Sequence, residues 1–135
     1  MSEPTKKQPS PPRRRKPLIY LVDDESLLLD LAELTLEPDG YDIEKFQDPE
    51  QALASFRDAK IKPALLISDY AMDTMNGLEL IEQCKRLHPE LKTILVSGTA
   101  GVEIILDSQV EVDRFMGKPY QPASLSELVR RLLEQ

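Results

Sequence analysis

Three short runs limit the fold more than any other feature: Leu18–Val22 (LIYLV), Ala64–Ser68 (ALLIS) and Lys92–Ser97 (KTILVS). A strand with one wet face alternates apolar and polar residues, whereas these runs are almost continuously apolar. Continuous runs of this length belong to strands buried on both faces, and a sheet is buried on both faces when helices cover it. Helix-like segments do separate the runs. "SLLLDLAELTLE" places Leu27, Leu31 and Leu34 at helical spacing as an apolar stripe, with Leu28 and Ala32 beside it. Pro38 stops that segment, and Asp39-Gly40 makes a turn.

The rest of the chain repeats the alternation. "YDIEKF" alternates Tyr41, Ile43 and Phe46 only roughly, and its position between helices makes it a strand. Asp48 reads as a helix N-cap and Pro49 as the first helical residue of a segment reaching about Ala59. "GLELIEQCKRLH" puts Leu80, Cys84 and Leu87 at i, i+4 and i+7, and Pro89 ends it. A weaker helix is expected near Val102–Ser108, and "RFM" reads as a short strand before Gly117-Lys118-Pro119. The C-terminal "ASLSELVRRLLEQ" is amphipathic, with Leu125, Leu128 and Leu132 on one stripe. Five strand-helix units joined by short loops predict a doubly wound α/β sandwich of three layers, (βα)5, around a parallel five-stranded sheet. No internal repeat is visible.

Composition narrows the chemistry. One cysteine, Cys84, excludes an internal disulfide and a cysteine zinc cluster, and it reads as a small buried hydrophobe. His88 is the sole histidine, which argues against a histidine metal site or a Ser-His-Asp triad, and it reads as a helix-end surface residue. No apolar run approaches the roughly 20 residues needed to span a bilayer, and the N-terminus lacks the apolar core of a secretory signal, so a cytoplasmic location is expected. Residues 1–17 hold five prolines, six basic residues (Lys6, Lys7, Arg13, Arg14, Arg15 and Lys16) and one acid (Glu3), a net +5. The whole chain carries −7, so residues 18–135 carry −12. The expected organisation is a disordered, basic, proline-rich arm over 1–17 and one folded domain over 18–135.

In open parallel sheets, ligands bind beyond the carboxyl ends of the strands. Asp23 and Asp24 follow the first strand, Asp69 the third, Ser97 ends the fourth, and Lys118 follows the fifth. Three carboxylates, a hydroxyl and an ammonium are therefore expected on one rim. Carboxylates this close repel and need compensation, which a hard cation such as Mg²⁺ supplies through oxygen ligands. A carboxylate can also act as a nucleophile toward phosphorus. Phosphoryl transfer asks mainly for positioning and charge neutralisation. Lys118, Ser97 and the cation offer that neutralisation, and Gly98 leaves room for a phosphoryl group.

With these residues in order, the sequence resembles the receiver domain of two-component response regulators. The resemblance is carried by "LVDDE", "LLISDYAMDTMNGLEL", "ILVSGT" and "FMGKPY", in register across residues 18–135. It implies a flavodoxin-like fold with strand order 2-1-3-4-5, of the stand-alone type similar to the chemotaxis receiver. It implies that Asp69 is the phosphoacceptor, and that Mg²⁺ is held by Asp24, Asp69, the Ala71 carbonyl and, through water, Asp23. Lys118 is then the phosphate partner, Ser97 and Phe115 the switch pair, and Lys118–Pro119 a cis peptide. Phosphorylation would shift a conformational equilibrium at the surface of the fourth helix, fifth strand and fifth helix, which a downstream protein reads. The donor would be a sensor histidine kinase or phosphotransfer protein, and the chain would catalyse only its own phosphorylation and dephosphorylation.

The sequence departs from that pattern at Asp73, where proline is usual, and at "VEVD" (Val110–Asp113); Ala71 and Thr99 hold the two positions that the resemblance places along the path of hydrolytic water, and Ala71 is too small to shield it. Asp73 could add charge near the cation or cap the third helix. Phe115 could be a core aromatic rather than a switch. Two other functions compete. A Mg²⁺-dependent aspartyl phosphatase would carry a second acid two residues after the nucleophile, where this chain has Ala71. A nucleic-acid binder would use the basic arm, against the −12 body and with no aromatic residue among the arginines. With 17 residues after Lys118, and the last helix using them, no output domain is expected to follow.

Overall fold

The computed structural model describes residues 16–98 and 109–134. The elements run β1 (Leu18–Val22), α1 (Ser26–Leu36), a 3-10 turn (Glu37–Asp39), β2 (Asp42–Phe46), α2 (Pro49–Asp58), β3 (Leu65–Asp69), α3 (Gly77–Leu87), β4 (Lys92–Ser97), β5 (Arg114–Gly117) and α4 (Pro122–Leu133). All strand pairs are parallel, and the sheet order is β2-β1-β3-β4-β5. This is the doubly wound sandwich that the alternation predicts, in the flavodoxin-like strand order that the resemblance implies. The expected helix near Val102–Ser108 and arm residues 1–15 lie outside the described residues.

The pleat divides the core in two, because successive side chains point to opposite faces. Tyr20, Val22, Leu66 and Leu95 pack under α2 and α3, with Phe56 and Ile81. Ile19, Leu21, Leu65, Ile67, Ile94 and Val96 pack under α1 and α4, with Leu36 and Val129. The central strands β1, β3 and β4 are buried almost throughout, which explains their unbroken apolar runs. The edge strands β2 and β5 are mostly half-buried or exposed, which explains their weak patterns.

Local chemistry sets the helix boundaries. Asp48 caps α2, its carboxylate accepting from Glu50 N at 2.9 Å, and Pro49 follows as the first helical residue. Asn76 and Glu79 form a reciprocal capping box at the start of α3. Asp73 therefore does not cap this helix. Gly40 closes the turn after α1 with φ of 98°, a left-handed geometry that favours glycine.

Two expectations change. The stripe Leu27, Leu31 and Leu34 points outward, with 66%, 50% and 69% exposure, and α1 buries Leu29, Ala32 and Leu36 instead. The sheet lies on the face offset from the predicted stripe. β3 also extends one residue further than expected, so Asp69 itself pairs with Val96 of β4. Cys84 is buried, as expected, and burial pushes its thiol up to about 12.

Candidate functional site

The carboxyl ends of β1, β3, β4 and β5 meet at one rim. β3 delivers Asp69 there as its last residue, only 7% exposed. Asp23 follows β1 and is nearly as buried, while Asp24 is exposed. One carboxylate oxygen from each of these three residues lies within 4.8 Å of the others. Lys118 reaches in from beyond β5. Its Nζ lies 3.1 Å from Asp69 Oδ1 and 3.2 Å from Asp23 Oδ2. The Lys118–Pro119 peptide is cis, as the resemblance implies.

The backbone fixes these side chains. Lys118 N donates to Ser97 O at 3.0 Å, which joins the fifth-strand loop to the end of β4. Glu25 N donates to Asp23 Oδ1 at 2.9 Å and orients that carboxylate. Gln47 donates to the Asp24 carbonyl at 3.2 Å, linking the loop after β2 to the rim. Ser68 is buried and donates to the Asp69 carbonyl at 2.9 Å.

The electrostatics follow from one ammonium facing three carboxylates. Burial, and then the charge of Asp23, raise the Asp69 carboxyl above its ordinary range, against the pull of Lys118. Burial works to lower the Lys118 ammonium, but Asp23 and Asp69 outweigh it and hold the ammonium above its ordinary value. Tyr120, beside Asp23, is raised by burial and then by that charge. The rim thus keeps a net negative charge that a divalent cation would offset. Its donors are hard oxygens, the ligand type that Mg²⁺ prefers.

The other predicted residues are placed as follows. Ser97 is buried at the end of β4, and its Oγ donates to the Gly98 carbonyl at 2.9 Å. Phe115 is 51% exposed on β5, so it is not a core aromatic. Ala71 is exposed in the loop between β3 and α3. Asp73 in the same loop is also exposed and is not a member of the carboxylate cluster.

Two features escaped the sequence reading. A Cβ on Gly77 would sit 2.3 Å from the Asp69 carbonyl oxygen and 2.7 Å from Leu95 Cδ1. Glycine thus lets the start of α3 lie directly against the backbone of Asp69, and Gly77 N donates to Tyr70 O at 2.9 Å. The Asn-Gly pair after the acidic strand was the available signal. The second feature is a clasp at the "VEVD" turn. Asp113 Oδ2 accepts from Thr93 N at 2.8 Å, Thr93 Oγ1 at 3.1 Å and Lys85 Nζ at 3.1 Å. No local pattern announces it, because its partners are 20 and 28 residues away.

A doubly wound sheet with three carboxylates and a bridging lysine on its carboxyl rim defines a class of small acid-centred α/β domains. The comparisons place the chain within that class. Residues 19–130 match the response regulator receiver domain family, and the chain belongs to it. It is 30% identical over 115 residues to the transcriptional regulatory protein TrcR of Mycobacterium tuberculosis, covering 84% of this chain and 43% of that protein. It is 29% identical over 118 residues to the transcriptional regulatory protein CreB of Escherichia coli, covering 87% of this chain and 51% of that one. The chain thus spans about half the length of these curated relatives or less. Among solved structures, a CheY-like receiver domain protein from Methanospirillum hungatei superposes with a TM-score of 0.79 at 30% identity, covering 88% of this chain and 95% of the other. The receiver domain of NtrX from Brucella abortus gives a TM-score of 0.78 at 29% identity, covering 87% and 98%. Among the described residues, no helix is long and apolar enough to cross a membrane.

Proposed function

We propose that the chain is a signalling receiver whose Asp69 accepts a phosphoryl group from a phosphohistidine of a sensor histidine kinase or phosphotransfer protein. An Asp69 carboxylate oxygen attacks phosphorus, the phosphorus–nitrogen bond to the donor imidazole breaks, and the histidine keeps that electron pair. The product is an acyl phosphate on Asp69. The observation that carries this reading is the Lys118 ammonium, 3.1 Å from Asp69 and 3.2 Å from Asp23, at the rim where β3 ends. That ammonium would meet the phosphoryl oxygens once Asp69 is phosphorylated.

Asp23, Asp24, Asp69 and the Ala71 carbonyl would hold Mg²⁺. When bound, Mg²⁺ supplies charge neutralisation between the carboxylates and the incoming phosphoryl group. Asp23 is oriented for this by the Glu25 amide, and Asp69 by its place in the sheet. Ser97 and Phe115 form the switch. In this structure Ser97 Oγ is engaged with the Gly98 carbonyl and Phe115 is turned outward. Phosphorylation recruits Ser97 Oγ to a phosphoryl oxygen, and Phe115 moves into the space this opens. The face built from β5 and α4 changes, and a downstream protein reads it. The setting for this exchange is the cytoplasm.

The test is phosphorylation by acetyl phosphate, or loading with beryllofluoride, in the presence of Mg²⁺. A phosphate-sized mass gain in the wild type that vanishes in Asp69→Asn is expected. Labelling that survives Asp69→Asn, or no labelling of the wild type, would overturn the assignment.

A further inference from the structure

Two of the outward leucines of α1, Leu31 and Leu34, border a hollow of about 550 Å³, lined also by Leu28, Tyr120 and Pro122. A contiguous exposed apolar patch marks an interaction surface. A second hollow, lined by Lys16, Leu34, Glu37 and Asp42, adjoins it, and Leu34 belongs to both. The point where the chain enters the fold therefore lies at one end of the leucine stripe. Pro17 O accepts from Asp42 N at 2.9 Å and fixes that entry point.

The segment upstream has the chemistry of an occupant. It reads Pro9-Ser10-Pro11-Pro12-Arg13-Arg14-Arg15. A proline-rich stretch in polyproline II conformation docks on grooves lined by aromatic and apolar side chains, and Tyr120, Pro122 and the leucines make such a groove. The arginines adjoin Lys16, and the exposed acids Glu37 and Asp42 line the hollow at that point. The reach is sufficient. Leu34 to Leu28 spans about 9 Å of helix at 1.5 Å per residue, and Pro11 and Pro12 lie about 12–16 Å upstream of Lys16 at 3.1 Å per residue.

We infer that residues 9–15 bind in cis along α1, with the prolines in the leucine–Tyr120 hollow and the arginines at Glu37 and Asp42. The docked segment would flank Lys118, which lines the same hollow. It would screen the α1 side of the rim from any partner approaching there. This inference does not depend on which residue is phosphorylated.

The experiment uses the full chain with Ser10→Cys carrying a nitroxide and the leucine methyls isotopically labelled. Cys84 is buried with a raised thiol pKa and escapes the label. The Leu31 and Leu34 methyl signals are expected to lose most of their intensity, while Leu53, on the buried face of α2 across the sheet, keeps its own. Charge reversal of the arm (Arg13→Glu, Arg14→Glu and Arg15→Glu together) should restore the lost signals. No broadening would overturn the inference. Broadening undiminished by charge reversal would reduce it to tether proximity and overturn it too. Broadening that arises only between a nitroxide-bearing and a methyl-labelled molecule would mean that a second copy fills the groove, again overturning it.

Discussion

Replacing Gly77 with alanine would put strain at the backbone that carries Asp69. The added Cβ would stand 2.3 Å from the Asp69 carbonyl oxygen, and Asp69 belongs to a strand hydrogen-bonded within the sheet. Close carbon–oxygen contacts lie at about 3.3 Å or more, so α3 or the end of β3 must yield by about 1 Å. Overpacking of this kind costs roughly 1–3 kcal/mol. The stiffer unfolded chain returns about 0.4–1 kcal/mol. The expected net loss is about 1–2 kcal/mol, which lowers the Tm by roughly 4–8 °C for a domain near this size. The effect on chemistry should be larger, because a shift near 1 Å at a reacting group can cost about 100-fold in rate. Thermal melting and single-turnover phosphorylation by acetyl phosphate read the two effects separately. Leu95→Val in the same background removes the second close contact, at 2.7 Å, and leaves the first. Wild-type Tm and rate in Gly77→Ala would refute the reasoning. Full recovery of rate by Leu95→Val would show that the leucine, not the carbonyl, sets the limit.

Asp69→Asn should abolish phosphorylation yet stabilise the fold at neutral pH, because burial and the charge of Asp23 disfavour the ionised carboxylate. That gain is full above the raised folded pKa of Asp69 and vanishes below its ordinary carboxylate value; urea melts across pH check it, and a lower midpoint at pH 7 contradicts it. Asp113 has the opposite sign. Burial works to raise its carboxyl, but Lys85 and the Thr93 amide outweigh burial and hold it below the usual range. It therefore contributes stability above its unfolded pKa that is lost as pH falls through the folded value. Asp113→Asn should cost about 1–2 kcal/mol at pH 7 and progressively less in acid; equal losses at both extremes would exclude an ionic contribution. Asp73→Pro should leave phosphorylation intact, since Asp73 is exposed and outside the carboxylate cluster; an inactive variant would reveal a direct role for this acid.

The rim was legible in the sequence for a physical reason. Each central strand is a continuous apolar run, so its end is sharply marked, and the polar residue that follows must lie on the rim. Asp23, Asp69 and Ser97 are all marked in this way, and the parallel topology brings them together without further information. The clasp of Asp113 with Thr93 and Lys85 was not legible, because it depends on side chains that meet only after β4 and β5 pair. Gly77 was visible as a residue but not as a contact, since the close approach of α3 to the Asp69 carbonyl is a property of packing.

Helix α1 shows a different limit. "SLLLDLAELTLE" has apolar residues around most of its circumference and only a narrow polar face (Asp30, Glu33 and Glu37), so a period of 3.6 finds an apolar stripe in more than one phase. The stripe Leu27, Leu31 and Leu34 satisfies the period as well as Leu29, Ala32 and Leu36 do, and the sheet chooses the second. Periodicity reports that a face is apolar, not what covers it. A helix that serves the core on one face and a binding segment on another must carry both stripes, and its apolar arc is then too wide to fix the phase. The ambiguity of α1 is therefore what a two-sided helix should show.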